Sequence, residues 1–454
     1  MRGAMSPSTD CIAALATPVG VSAIAVVRAS GPQVPELVRV IFGLTPPPRS
    51  AQHADYRDLR GALVDDVLFT WFASPNSYTG QDTLEISSHG NPYIAQKILE
   101  DLLARGCRCA EPGEFTQRAF LNGRMDLSQA EAVMDLIHAR SERALLAANQ
   151  QLRGSLGRKM NELIAILMNA LAKIEAYIDF PEEDLPQENA AALINDIDHL
   201  LVSTKQLIAT SHYGALLRDG IKTVILGEPN AGKSSLLNRL VGRERALVSP
   251  EPGTTRDYLE EQINVGSHTL RLIDTAGFNL KPTALEKRGI DKTLEQAADA
   301  DLFLWVIDCT RPLPVLPLAA VVAMTPANTI VVFNKIDLPA SFLSPLPQDF
   351  PCISVSSLVG TGFDSLQELI VKLADSFRSD VGSEVIAINS RHAHALEQAT
   401  QCLATARSKL SENVQTELVA SDLRCAMDFL GEISGKIDNE RVLDLLFSSF
   451  CIGK

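Results

Sequence analysis

At 454 residues the chain is too long for a single hydrophobic core, and ordinary domain sizes call for about three domains. Its 46% hydrophobic and 21% charged content excludes wholesale disorder. The net charge of -14 excludes a protein that coats nucleic acid by bulk electrostatics, so any RNA contact needs a local patch or a partner.

No apolar run reaches membrane-spanning length: Leu302 to Ile307 and Val315 to Met324 are short or interrupted by Pro317. The apolar piece Cys11 to Ala16 is stopped by Thr17 and Pro18, unlike a signal peptide. The expectation is a cytoplasmic protein with no membrane segment. The eight cysteines show neither C-x-x-C nor Cys/His ligand spacing, which argues against structural zinc and a disulfide framework.

In chain order, residues 1–123 alternate short apolar strands, such as Ile24 to Val27 and Leu84 to Ile86, with Gly- and Pro-rich turns, predicting a small α/β domain. Residues 124–215 are helical. Apolar residues recur there at three and four, as in Leu163, Leu167, Ala170, Ile174 and Ile178, until Phe180-Pro181 ends the pattern. Residues 216–378 read as strand, Gly-loop and helix, and helical periodicity resumes within 379–454. The predicted fold class is therefore multidomain α/β plus all-α, with a P-loop domain inserted into a helical domain.

The inserted segment carries the chemistry. Lys222 to Leu226 reads as a buried strand running into Gly227-Glu228-Pro229-Asn230-Ala231-Gly232-Lys233-Ser234, a full G-x-x-x-x-G-K-S. Backbone N–H groups from Asn230, Ala231 and Gly232 to Ser235 are expected around phosphate oxygens, with Lys233 neutralising charge and the Ser234 hydroxyl placed for Mg²⁺. Asp274-Thr275-Ala276-Gly277 follows an apolar strand and supplies an acid for the Mg²⁺ shell and a glycine N–H for the γ-phosphate.

Asn334-Lys335-Ile336-Asp337 closes the strand Thr329 to Phe333. The Asp337 carboxylate accepts both the N1–H and the 2-amino group of guanine, whereas adenine would leave it unpaired. Ser356-Ser357-Leu358 stands where many GTPases carry Ser-Ala-Lys against the base, and it departs at two positions. Within Pro252-Gly253-Thr254-Thr255-Arg256-Asp257, Thr255 is either a second hydroxyl for Mg²⁺ or part of a capped turn. The residue after DTAG is Phe278. A phenyl ring neither takes a proton from the attacking water nor hydrogen-bonds it, so the water-holder stands elsewhere or the chain is not a working GTPase.

GEPNAGKSSLLN and PGTTRD, with a hydrophobic residue after DTAG and the insertion within helices, resemble the MnmE (TrmE) family of tRNA-modifying GTPases. So do ALATPVG at 14–20, SYTGQDTLEISSHG at 77–90, PGEFTQRAFLNGRMDL at 112–127 and the terminal FSSFCIGK. The resemblance covers essentially the whole chain. It implies a Ras-like P-loop GTPase domain, a dimerising N-terminal domain that binds 5,10-methylene- or 5-formyl-tetrahydrofolate, and a K⁺ ion where two G domains meet. Asn230 matches the potassium ligand, with Ser249, Glu251 and Thr254 completing that site, and Glu286 matches the residue acting on the attacking water. Arg28, Glu85 and Arg124 match folate-holding positions, with Lys454 reaching them from the C-terminus. Cys451 is implied as a nucleophile or acid, or is a packed terminal thiol.

The implied partners are a second copy of the chain, a flavin-dependent MnmG/GidA protein and tRNA. His89 reads as a satisfied turn histidine. A competing expectation is a ribosome-assembly GTPase switch, for which Gly154-Ser155-Leu156-Gly157 mimics the G-x-x-G of a KH module, although it lies inside a helical stretch without flanking strands. A third, a membrane-coupled GTPase of the iron-transport type, lacks a spanning segment.

Overall fold

A computed structural model describes residues 10–179, 187–244, 260–274, 299–314, 322–339, 350–377, 386–412, 416–435, 443, 446–448 and 450–453. The chain divides into two compact units, one of residues 1–134, 152–165 and 427–454, the other of residues 135–151 and 166–426.

In the first unit six strands form one sheet: β1 (Ile12–Leu15), β2 (Ile24–Ser30), β3 (Ala51–Arg57), β4 (Leu63–Phe72), β5 (Thr83–His89) and β6 (Arg108–Cys109). Their order is β3-β4-β5-β2-β1-β6, antiparallel throughout except for the parallel β1–β6 pair. Two helices cover one face. Helix α1 (Val34–Phe42) ends on Gly43 in the left-handed region, and α2 (Pro92–Ala104) starts on Asn91, whose side chain accepts the Tyr93 N–H. Period-two alternation sends Ala25, Val27, Ala29, Leu84 and Ile86 into the core with Val34, Leu37, Ile98 and Leu102. The intervening Arg28 and Glu85 therefore fall on the other face, directly opposite one another in the β2–β5 register.

Helix α3 (Glu114–Leu121) follows. The first part of the helical stretch predicted over 124–215 is divided into three helices: α4 (Leu127–His138), α5 (Glu142–Leu152) and α6 (Ser155–Asp179). Gly154 at φ 80° makes the second break. Gly157 lies within α6, where a Cβ would stand 2.2 Å from Asp126 Oδ2, so the glycine serves close packing and the G-x-x-G is no KH loop. Helices α7 (Gln187–Ala209) and α8 (Ser211–Asp219) lead into the second sheet.

That sheet contains β7 (Ile221–Leu226), β8 (Glu260–Val265), β9 (His268–Asp274), β10 (Leu302–Asp308), β11 (Thr329–Asn334) and β12 (Cys352–Ser354), in the order β12-β11-β10-β7-β9-β8. All pairs are parallel except β8–β9. Every residue of β10 is buried, the continuous apolar run expected of a parallel strand covered on both faces. Helices α9 (Lys233–Glu244) and α10 (Phe363–Ser376) add Leu236, Leu240, Leu366 and Ile370 to the core. Farther on, α11 (Ser390–Ser411) lies along α7, and α12 (Thr416–Ser434) leads toward the C-terminus. No helix among the described residues is long and apolar enough to cross a membrane.

Candidate functional site

The nucleotide motifs converge at the carboxyl ends of the parallel strands, the crevice where open α/β sheets bind ligands. Strand β7 runs into the loop that ends at α9, so the loop amides and the first turn of a helix face one place. A Cβ at Gly227 would meet the Val306 carbonyl oxygen at 2.4 Å, so only glycine lets the loop leave the sheet there. Asn230 adopts φ 66° and is exposed, and its side chain makes no hydrogen bond among the described residues. Lys233, 6% exposed, folds over the loop and donates to the carbonyls of Gly227 at 3.2 Å and Glu228 at 2.9 Å. Ser234 and Ser235 are exposed at the helix start.

Asn334 joins the G-x-x-x-x-G-K-S loop to the loop after β12. Its Nδ2 donates to the Ala231 carbonyl at 2.9 Å, and its Oδ1 accepts from the Ser357 N–H at 3.0 Å and the Ser357 hydroxyl at 2.9 Å. Gly232 makes room: a Cβ there would stand 2.2 Å from Asn334 Nδ2. Lys335, at φ 67°, pairs through Nζ with Asp308 Oδ2 at 2.6 Å. Burial pushes the Asp308 carboxyl up, but the hydrogen bonds from Lys335 and Thr310 outweigh it and hold the group below its ordinary value. Ser356 donates its hydroxyl to Asp337 Oδ1 at 2.5 Å, which ties the loop after β12 to the end of the Asn334-Lys335-Ile336-Asp337 stretch.

Asp274 closes β9 opposite Ile225, at the same sheet end as the phosphate loop. Ser249, Glu251, Thr254, Thr255, Thr275, Ala276, Gly277, Phe278 and Glu286 lie outside the described residues, as does Lys454.

A second constellation lies in the first unit. Arg28 donates through Nε at 2.9 Å and Nη2 at 2.8 Å to the same Glu85 oxygen, Oε1, and through Nη1 to the Gly453 carbonyl at 3.2 Å. Its guanidinium carbon stands 5.7 Å from the Tyr78 ring centre and 5.6 Å from that of Phe115. Oε2 of Glu85 accepts no hydrogen bond among the described residues. The C-terminal segment is pinned beside it by the Pro112–Ile452 bridge and by the Gly113 N–H donated to the Cys451 carbonyl at 3.3 Å. Cys451 itself is exposed. Arg124 is exposed and stands against Gly80.

His89 closes β5, with Nδ1 2.9 Å from Asp65 Oδ1; that bond raises its pKa above the ordinary value. Sequence reasoning passed over Asp308, Arg239 and the buried Glu114–Arg118 pair. Only the last carries a local signal, a carboxylate and a guanidinium four residues apart on one helix.

A mostly parallel P-loop sheet with Asn334, Lys335 and Asp337 at the carboxyl end of β11 defines a GTP hydrolase with a Ras-like domain, set in a multidomain α/β and all-α chain. Residues 127–451 match the family described as MnmE helical domain, and residues 11–124 match GTP-binding protein TrmE N-terminus. The chain is 57% identical over 452 residues to the tRNA modification GTPase MnmE of Opitutus terrae, covering 99% of this chain and 100% of that protein. It is 44% identical over 455 residues to the protein of the same name from Akkermansia muciniphila, covering 99% of this chain and 100% of the relative. The chain belongs to the MnmE (TrmE) family of tRNA modification GTPases.

Proposed function

We propose that the chain couples GTP hydrolysis to formation of a 5-carboxymethylaminomethyl or aminomethyl group on the wobble uridine of certain tRNAs. It acts in the cytoplasm with a flavin-dependent MnmG/GidA partner and takes a one-carbon unit from 5,10-methylene- or 5-formyl-tetrahydrofolate. The observation that carries the reading is the meeting of Arg28, Glu85 and Gly453 in the same chain as a nucleotide cradle. The open Glu85 Oε2 suits the paired N–H donors of a pterin, the Tyr78 and Phe115 rings suit its flat face, and Arg124 and Lys454 suit an anionic glutamate tail.

In the domain reading behind this proposal, residues 1–123 bind folate and dimerise, 216–378 form the G domain, and 124–215 with 379–454 form the helical domain. Exposed Val19 (84%), Val21 (92%) and Ile24 (57%) support a self-association surface on the first of these.

At the nucleotide, Asp337 takes the guanine N1–H and 2-amino group, and Asn334, Lys335 and Ser356 fix the loops around it. Asn230 to Ser235 and Thr275 to Gly277 hold phosphates, with Lys233 against the β/γ oxygens and Ser234, Thr255 and Asp274 serving Mg²⁺. The exposed Asn230 amide suits a monovalent cation, joined by Ser249, Glu251 and Thr254. Such an ion supplies positive charge between the β- and γ-phosphates, a role worth about 10³ to 10⁵ in rate. Glu286 orients the attacking water, since Phe278 has no group to do so. Cys451 serves as acid or nucleophile at the folate end of the chain.

The test is reconstitution of the chain with a flavin-dependent MnmG-type partner, unmodified tRNA, GTP and the reduced folate, followed by nucleoside analysis. A modified wobble uridine is expected. Its absence, with the same partner active alongside another family member, overturns the proposal.

A further inference from the structure

We propose that Arg239 is a specificity-determining positioning residue for guanine recognition, acting from the phosphate-loop helix on the base-recognition loop. The inference rests on the reading of Asp337 as the base-reading carboxylate. Arg239 lies on α9, six residues past Lys233. It spans to the loop after β12, donating through Nη1 to the Leu358 carbonyl at 2.9 Å and through Nη2 to the Val359 carbonyl at 2.8 Å, with Nη1 also 3.4 Å from the Ser357 carbonyl. The guanidinium carbon stands 5.7 Å from the ring centre of Phe363, at the start of α10.

Gly360 keeps the space open: at φ 97°, a Cβ there would stand 1.9 Å from Arg239 Nη2. The planar fork of donors therefore closes a loop that otherwise offers solvent a row of carbonyls.

That loop carries Ser356 and Ser357. The Ser356 hydroxyl fixes Asp337, and Ser357 holds Asn334, which in turn holds the Ala231 carbonyl of the phosphate loop. A single rigid helix thus ties the two halves of the nucleotide site. The need for such a tie is visible at Leu358: it stands where a Ser-Ala-Lys loop has its lysine, and its side chain is 80% exposed and offers no polar group. The loop is steadied from α9 rather than by its own third residue. With the loop loose, Asp337 still reaches the N1–H, but its two oxygens are no longer held together against N1–H and the 2-amino group.

The experiment measures GDP and inosine diphosphate affinities of the full chain by competition with a fluorescent nucleotide. Inosine lacks only the 2-amino group. Arg239→Met keeps the aliphatic stem and removes every donor; Arg239→Lys restores a cationic donor group without the planar fork. Arg239→Met is expected to weaken GDP by about tenfold, the worth of one charge-assisted hydrogen bond, and inosine diphosphate by less, narrowing their ratio. Arg239→Lys recovers part of the loss, while kcat at saturating GTP and the melting temperature stay near those of the parent.

Asp337→Asn serves as the control, expected to lose GDP and gain xanthosine diphosphate, whose C2 carbonyl the new amide donates to. An unchanged GDP-to-inosine ratio in Arg239→Met, with the control behaving as expected, overturns the role of Arg239. Equal losses for both nucleotides with a lowered melting temperature reduce Arg239 to a structural residue and overturn it too. A control that keeps its guanine preference overturns the reading of Asp337 and the inference with it.

Discussion

The two six-stranded sheets build their sites in opposite ways. In the first unit the side chains proposed for the folate site project from strand interiors: Arg28 and Glu85 are register partners on an antiparallel pair, preset against each other by backbone pairing. Among the described residues of the second sheet's site none projects from a strand interior. The groups sit on strand ends, on the loops that follow and on the first turn of α9, and their positions depend on side-chain ties such as Asn334 to Ser357 and Arg239 to the 358–359 carbonyls. A strand-borne site inherits its geometry from the ladder, whereas a loop-borne site must be cross-braced and can move.

This contrast is breakable by mutation. The largest effect falls under the strand-borne site, where Glu114 and Arg118 pair at 2.8 Å with both side chains buried. Glu114→Ala removes the acceptor that Arg118 shares with Arg108, leaving Asp10 as their remaining carboxylate, and is expected to destabilise the first unit by about 3 kcal/mol, read as a lost or lowered calorimetric transition. Lys233→Ala comes next. It should weaken GTP binding by about 10- to 100-fold in an equilibrium titration, because it removes the cation proposed to face the phosphate oxygens.

Glu85→Gln should lower reduced-folate affinity by about tenfold in calorimetric titration and leave GDP affinity unchanged, which separates the two sites. A parallel loss at both would end the claim that they are built independently.

The smallest effects are in pH, and they have opposite signs in the two units. His268, buried in β9 against Asp375 Oδ1 at 2.7 Å, is lowered from the ordinary 6.5: burial dominates and Arg143 adds to it, against the upward pull of Asp375. Its unfolded form takes a proton first, so its contribution is whole above pH 6.5 and is lost as pH falls below that value. His89 is raised by Asp65, so its small, exposed contribution is present below the unfolded value and fades as pH rises through the folded one. His268→Gln should flatten the fall in melting temperature on acidification from neutrality, and His89→Gln should steepen it slightly. Thermal scans across pH 5 to 8 distinguish the two signs.

The loop-borne site was the more legible in sequence. G-x-x-x-x-G-K-S and NKID are each contiguous, the first stating its glycine and charge requirements within eight residues and the second its amide and carboxylate within four, and the strand before each motif is a plain apolar run. Its cross-braces were not legible. Arg239 meets backbone carbonyls some 119 positions away, and a carbonyl leaves no trace in residue identity. The Arg28–Glu85 contact spans 57 positions and depends on strand register. Period two announces that both residues leave the core, but family likeness rather than pattern singled them out.

The helix breaks at 139–141 and 153–154 were hidden because apolar spacing continues across them, although Gly154 marks the second.

The central claim, that the loop-borne site is completed by a monovalent cation at a contact between two copies of the chain, is tested most directly by GTP turnover. Rates measured in K⁺ and in Na⁺ across a range of protein concentrations are predicted to be far higher in K⁺ and to rise per protomer with concentration, and Asn230→Ala should abolish the difference. Equal, concentration-independent rates in the two salts would contradict the account.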